Sequence, residues 1–70
     1  MNAKEILTEM SKLKSGYGYG ARIYLNDPVK GPAFLKEIHE QIVAHPKSAR
    51  QHFGDKMVDE IIKFCECYKS

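Results

Sequence analysis

Ala49, Phe53, Met57, Ile61, Cys65 and Tyr68 recur at spacings of four, four, four, four and three residues. That period lays one apolar stripe along a helix, and Val58, Ile62 and Phe64 widen it. A stripe this long needs a partner surface, so it must pack against other helices or against a sheet. Gly54 followed by Asp55 interrupts it. One helix over 47–68 would carry that glycine at about 1 kcal/mol relative to alanine. A break at Gly54 fits better, because Asp55, Asp59 and Glu60 then lie near a new helix N-terminus, where the dipole favours acids.

Two further segments show helical spacing. Over 3–14, Ile6, Leu7, Met10 and Leu13 share a face. Asn2 followed three residues later by Glu5 has the form of a capping box, and Gly16 is placed to supply a left-handed stop. Over 32–44, Phe34, Leu35, Ile38 and Ile42 form the stripe. Pro32 suits the first helical position, and Pro46 disfavours helical geometry at His45.

Residues 15–31 fit no single pattern. Tyr17, Tyr19, Ala21, Ile23 and Leu25 alternate with Gly18, Gly20, Arg22 and Tyr24, a period of two. No second strand is evident to satisfy the backbone donors of an extended segment. A short helix over 21–26 that closes the core with Ile23 and Leu25 is the other solution, before the turn that starts at Asp27-Pro28. The expected fold is therefore all-α: one domain over 1–70, a small bundle of three to four helices with a Tyr/Gly-rich loop between the first two. The first helix should meet the last through Leu7, Met10, Ile61 and Cys65.

With 70 residues, the chain can bury only a modest core, and burial barely exceeds the entropy of ordering the chain. A deep active-site cavity is hard to support on that margin. No apolar run exceeds three residues, so no membrane-spanning segment is expected, and the N-terminus lacks the apolar core of a signal peptide. The two cysteines, Cys65 and Cys67, are too close for a bridge between them to stabilise much. These features point to a cytoplasmic protein with reduced thiols, Cys65 in the core and Cys67 exposed.

The net charge of +2 conceals an asymmetry. Residues 11–36 hold Lys12, Lys14, Arg22, Lys30 and Lys36 against Asp27 alone, a balance of +4, while the rest of the chain is −2. Such a basic region is either a solvated face or a means of steering an anionic partner.

Most chemical motifs fail on context. The Gly16–Gly20 run lacks the Lys-Ser/Thr of a phosphate-binding loop, and no strand precedes it. Read as the end of the first helix, it also sits where the dipole repels phosphate. A helix-turn-helix over 47–68 would place Asp55, Asp59 and Glu60 against DNA phosphates. On a helix, Cys65 and Cys67 point about 200° apart, and His39, His45 and His52 lack ligand spacing, so no metal or other cofactor is expected. Glu37 and Glu40 lie opposite the stripe of their helix, and nothing identifiable orients His39 as a base. No catalytic constellation assembles, and no stretch carries the signature of a known family.

What remains is a surface suited to recognition. Tyr17, Tyr19, Arg22 and Tyr24 are residue types enriched at binding hot spots, and Lys12, Lys14 and Lys30 flank them. These seven residues are the candidate partner-binding set. They suit a larger protein with an acidic surface, which this chain would serve as adaptor, inhibitor or regulatory subunit. The same set suits single-stranded nucleic acid, whose bases stack on rings while basic groups track the phosphates. A second copy of the chain is a third partner, met through any exposed remainder of the Phe53/Met57/Phe64 stripe, since small domains often bury surface by oligomerising.

Overall fold

The computed structural model describes residues 2–67, which form five helices in the order α1 (Ala3–Met10), α2 (Gly16–Tyr24), α3 (Lys30–Ala44), α4 (Pro46–Phe53) and α5 (Asp55–Cys67). The all-helical class is as expected, and no strand occurs among the described residues. The count of three to four helices is corrected to five. The extra helix comes from the Tyr/Gly run, which is not a loop.

Both halves of the capping box close α1: Asn2 Oδ1 accepts from the Glu5 N–H at 2.9 Å, and Glu5 Oε1 accepts from the Asn2 N–H at 3.1 Å. The helix stops at Met10, four residues before the expected end. Thr8 and Ser11 turn their hydroxyls back onto the carbonyls of Lys4 and Thr8, at 2.7 and 2.6 Å, which competes with regular winding. The N–H groups of Lys12 and Leu13 then reach back only three residues, to Glu9 and Met10, as the chain tightens into a turn. Gly16 is not the left-handed stop; among the described residues only Gly54 has positive φ.

Ser15 is extended, and α2 begins at Gly16. Gly18 and Ala21 are the buried positions of α2, and the helix packs between α1 and α3. A Cβ on Gly18 would overlap the Leu13 carbonyl oxygen and lie 2.9 Å from its carbon; one on Gly20 would lie 2.7 Å from Phe34 Cζ. These two glycines are therefore read as close-packing residues, not as flexible linkers. Leu25 packs against the core, but Ile23 is 54% exposed and does not close it.

α3 starts at Lys30, two residues before the expected Pro32, and Asp27 secures that start. Its Oδ1 accepts from the N–H groups of Val29 and Lys30 at 2.9 and 2.7 Å, which satisfies donors that a helix start leaves free. Pro32 falls within the first turn, where its missing N–H still costs nothing. Leu35, Ile38 and Ile42 are buried, and His45 with Pro46 closes α3 and opens α4.

The break at Gly54 is present, with φ of 89°, a conformation other residues rarely adopt. It turns the long stripe by separating its halves. Ala49 and Phe53 are buried on α4, whereas on α5 the buried positions are Val58 and Ile61, and Met57 is only half-buried. Arg50 spans the corner, donating to Asp55 Oδ1 and Asp59 Oδ1, each at 3.1 Å. Tyr68, the last residue of the predicted stripe, lies outside the described residues.

Ile6, Leu7, Met10, Ala21, Leu35, Ile38, Ile42, Ala49, Phe53, Val58 and Ile61 form one continuous core. α1 packs on α5 as expected, with Leu7, Met10 and Ile61 buried. Cys65 is half-buried at the edge, its Sγ 3.7 Å from the Leu35 carbonyl oxygen. No polar or charged residue is buried among the described residues.

Candidate functional site

The winding of α2 sorts the candidate residues. Gly18 and Ala21 face the core, and at about 100° per residue Tyr19 and Ile23 project from the opposite side. They are 65% and 54% exposed. Four residues apart, they lie one above the other on the helix surface. Gly16 shares this side, and a Cβ there would meet nothing within 4 Å.

Lys12 and Lys14 stand exposed in the α1–α2 turn, beside the start of this face. Lys12 Nζ lies 3.4 Å from Glu9 Oε2, an open surface pair worth little. Arg22 lies on the flank nearer α1 and donates from Nε to the Ser11 carbonyl oxygen at 3.0 Å. It thus satisfies a carbonyl at the end of α1 while its guanidinium stays at the surface. Between residues 11 and 26 there is no acid. Asp27 is engaged at the start of α3, where the Lys30 and Val29 N–H groups hold its carboxyl below the usual carboxylate range.

Other members of the candidate set are drawn elsewhere. Tyr17 turns toward α4, its ring edge-on to Phe53 at 5.1 Å and His52 at 5.5 Å between centroids. Tyr24 tilts against Phe34 at 5.4 Å. Both rings are anchored by aromatic packing. Lys30 begins α3, past the C-terminal end of α2, beside Tyr24, Phe34 and Glu37. The structure therefore gathers Lys12, Lys14, Tyr19 and Arg22 around α2 and separates Tyr17, Tyr24 and Lys30 from them. Ile23 is the residue that sequence reasoning missed as surface. The signal was its spacing of four from Tyr19, which only a helical reading of this run exposes.

The tertiary fold also brings His52 Nε2 to 3.1 Å from Ser15 Oγ. The contact links α4 to the start of α2. Among the described residues no acceptor engages the other ring nitrogen, so the arrangement lacks the orienting group of a nucleophile–base pair. The Gly16–Gly20 run opens a helix instead of ending one, so the helix dipole there does not repel phosphate. It still lacks the residues of a phosphate loop.

A groove of about 380 Å³ lies between α1 and the α4–α5 corner, lined by Ile6, Phe53 and Met57. Glu9, Asp55 and Glu60 line it, with Lys56. No cluster of three or more metal-ligating side chains occurs among the described residues, and no helix there is long and apolar enough to cross a membrane. No family model matches the chain, and neither a curated protein nor a solved structure matches it.

Proposed function

We propose that this chain is a small, non-catalytic protein-binding module that docks through the outward face of α2 onto a larger protein with an acidic surface. The observation that carries this reading is the pair Tyr19 and Ile23. Both are large apolar side chains, one turn apart, projecting from a helix whose opposite side is in the core. Lys12, Lys14 and Arg22 lie around them with no acid between residues 11 and 26. Tyrosine offers much contact area for little lost entropy, and basic neighbours steer an acidic partner. Adaptor, inhibitor and regulatory subunit all describe such a module, and it would act on its partner in the cytoplasm.

Nucleic acid is the second reading, supported by the same basic residues. It is weakened because Tyr17 and Tyr24 pack against Phe53 and Phe34, which leaves Tyr19 as the freest ring of the α2 tyrosines. Strand binding uses several successive stacking platforms.

Affinity capture from lysate, with and without nuclease, followed by binding of the purified captured partner, tests the reading. A protein that survives nuclease and is lost with Tyr19→Ala/Ile23→Ser supports it. Dependence of affinity on salt separates the two classes. A log–log slope that accumulates about 0.7–0.9 per phosphate contacted identifies nucleic acid and overturns protein docking.

A further inference from the structure

We propose that the element received by α2 is an acidic amphipathic α-helix, seated along the line Gly16–Tyr19–Ile23 with its backbone closest at Gly16. The inference rests on the protein-docking reading and specifies the partner's chemistry and form.

The three glycines of α2 differ in what their missing side chains allow. Glycine weakens a helix, and α2 carries three in nine residues. Gly18 and Gly20 are explained inside the fold, by the Leu13 backbone and the Phe34 ring. Gly16 is not. Its φ is not positive, and a side chain there would point into open space. Among the described residues no neighbour occupies the space of the missing side chain, and that space lies on the same face as the exposed Tyr19 and Ile23. Spacings of three and four place the three residues in a ridge with a notch at one end, and such ridges receive the grooves of a second helix. The notch lets a partner backbone approach closely, as small residues do at helix crossings.

The form of the partner follows from what the surface lacks. No strand edge exists among the described residues, so an extended segment would find no backbone ladder to join. A helix satisfies its own backbone and needs only an apolar stripe to match Tyr19 and Ile23. Its charge follows from Lys12, Lys14 and Arg22.

A second copy of this chain is a poorer occupant. Two α2 faces would bring like charges together. Nine residues of helix also present a footprint of roughly 14 by 10 Å, far below the ~800 Å² per partner of a stable interface. The partner helix must be longer than α2 and continue over the turn that holds Lys12 and Lys14.

Nuclear magnetic resonance titration of the labelled full chain tests this with three synthetic peptides of about 18 residues, long enough to cross α2 and the turn. One is a Leu/Ala/Glu amphipathic helix, one a scramble of it without a helical stripe, and one the same stripe with Lys in place of Glu. The amphipathic acidic peptide is expected to shift the amides of Gly16, Tyr19 and Ile23, and the other two to bind at least about tenfold more weakly. Gly16→Leu should weaken the acidic helix by about tenfold or more while the melting temperature holds. Tyr19→Ala/Ile23→Ser should remove binding.

Equal binding of the scramble overturns the helical form and leaves protein docking standing. Undiminished affinity in Gly16→Leu overturns the notch. Shifts confined to the α1–α5 groove, or no response to the acidic helix, overturn the inference as a whole. If oligo-dT shifts the lysines and the α2 amides while both acidic peptides fail, the docking reading fails with it.

Discussion

Gly18→Ala separates a packed helix from a flexible connector, because the two accounts give opposite signs. In a helix free of contacts, alanine for glycine stabilises by about 1 kcal/mol. Here the new methyl would overlap the Leu13 carbonyl oxygen and come within 2.9 Å of its carbon and 3.3 Å of Leu13 Cβ. The obstacle is backbone, in a turn held by the Leu13 N–H to the Met10 carbonyl at 3.0 Å and by Arg22 on Ser11. It cannot rotate aside. Forcing a methylene into a packed site costs about 1–3 kcal/mol, and a rigid neighbour puts this case at the top of that range. After the propensity gain is subtracted, the net loss is about 2 kcal/mol. A domain of this size loses about 4–8 °C in Tm per kcal/mol, so the expected fall is roughly 8–16 °C. Thermal unfolding followed by far-ultraviolet circular dichroism reads it directly. Gly16→Ala is the matched control: it meets nothing within 4 Å and should leave Tm unchanged or slightly higher. Gly20→Ala should fall between, because its obstacle is the far end of the half-buried Phe34 ring, which can give way. A Gly18→Ala protein that melts at or above the parent would refute the packed arrangement of α2 on the α1–α2 turn.

Ile61→Asp should abolish cooperative folding, because Ile61 is fully buried and an unpaired carboxylate there costs more than a 70-residue domain can spare; an unchanged cooperative melt would contradict the core. Asp27 is held below its ordinary pKa by the Lys30 and Val29 N–H groups, so its contribution is full above the unfolded value near pH 4 and is lost as pH falls through the lower folded value. Asp27→Asn should therefore flatten the acid limb of the stability profile below about pH 4, seen as a smaller change in denaturant midpoint there than in the parent. Burial pushes the Cys65 thiol up, while Cys67 is exposed. Iodoacetamide near pH 8 should therefore modify Cys67 first, and peptide mapping that finds Cys65 modified faster would contradict the placement of α5 against α3.

The residues gathered around α2 show where reading the chain succeeds and where it stops. The capping box of Asn2 and Glu5, the stripe of α3 and the break at Gly54 all arise from groups within a few residues of one another. Their physics is local, so spacing alone exposes them. α1 ends earlier than its apolar spacing predicts because the hydroxyls of Thr8 and Ser11 compete for carbonyls, a contest that apolar periodicity does not register. Spacing alone runs the stripe straight through Gly54, whereas the corner there turns it and leaves Met57 half-buried against the core.

For α2 the local signals point the wrong way. Three glycines and an alternating pattern argue against a helix, and period two sorts Ile23 with Ala21. Contacts with Leu13 and Phe34 reverse both readings, because close approach of neighbouring elements compensates for the weak propensity of Gly18 and Gly20. The seven residues chosen by type divide for the same reason. Tyr17 and Tyr24 are identical to Tyr19 in chemistry, but Phe53 and Phe34 lie beside them and not beside it. The all-helical class, the Asn2–Glu5 capping box, the break at Gly54 and the charge asymmetry are written in the order of the residues. Which tyrosine stays exposed depends on residues ten or more positions away, whose positions are set only when the helices pack.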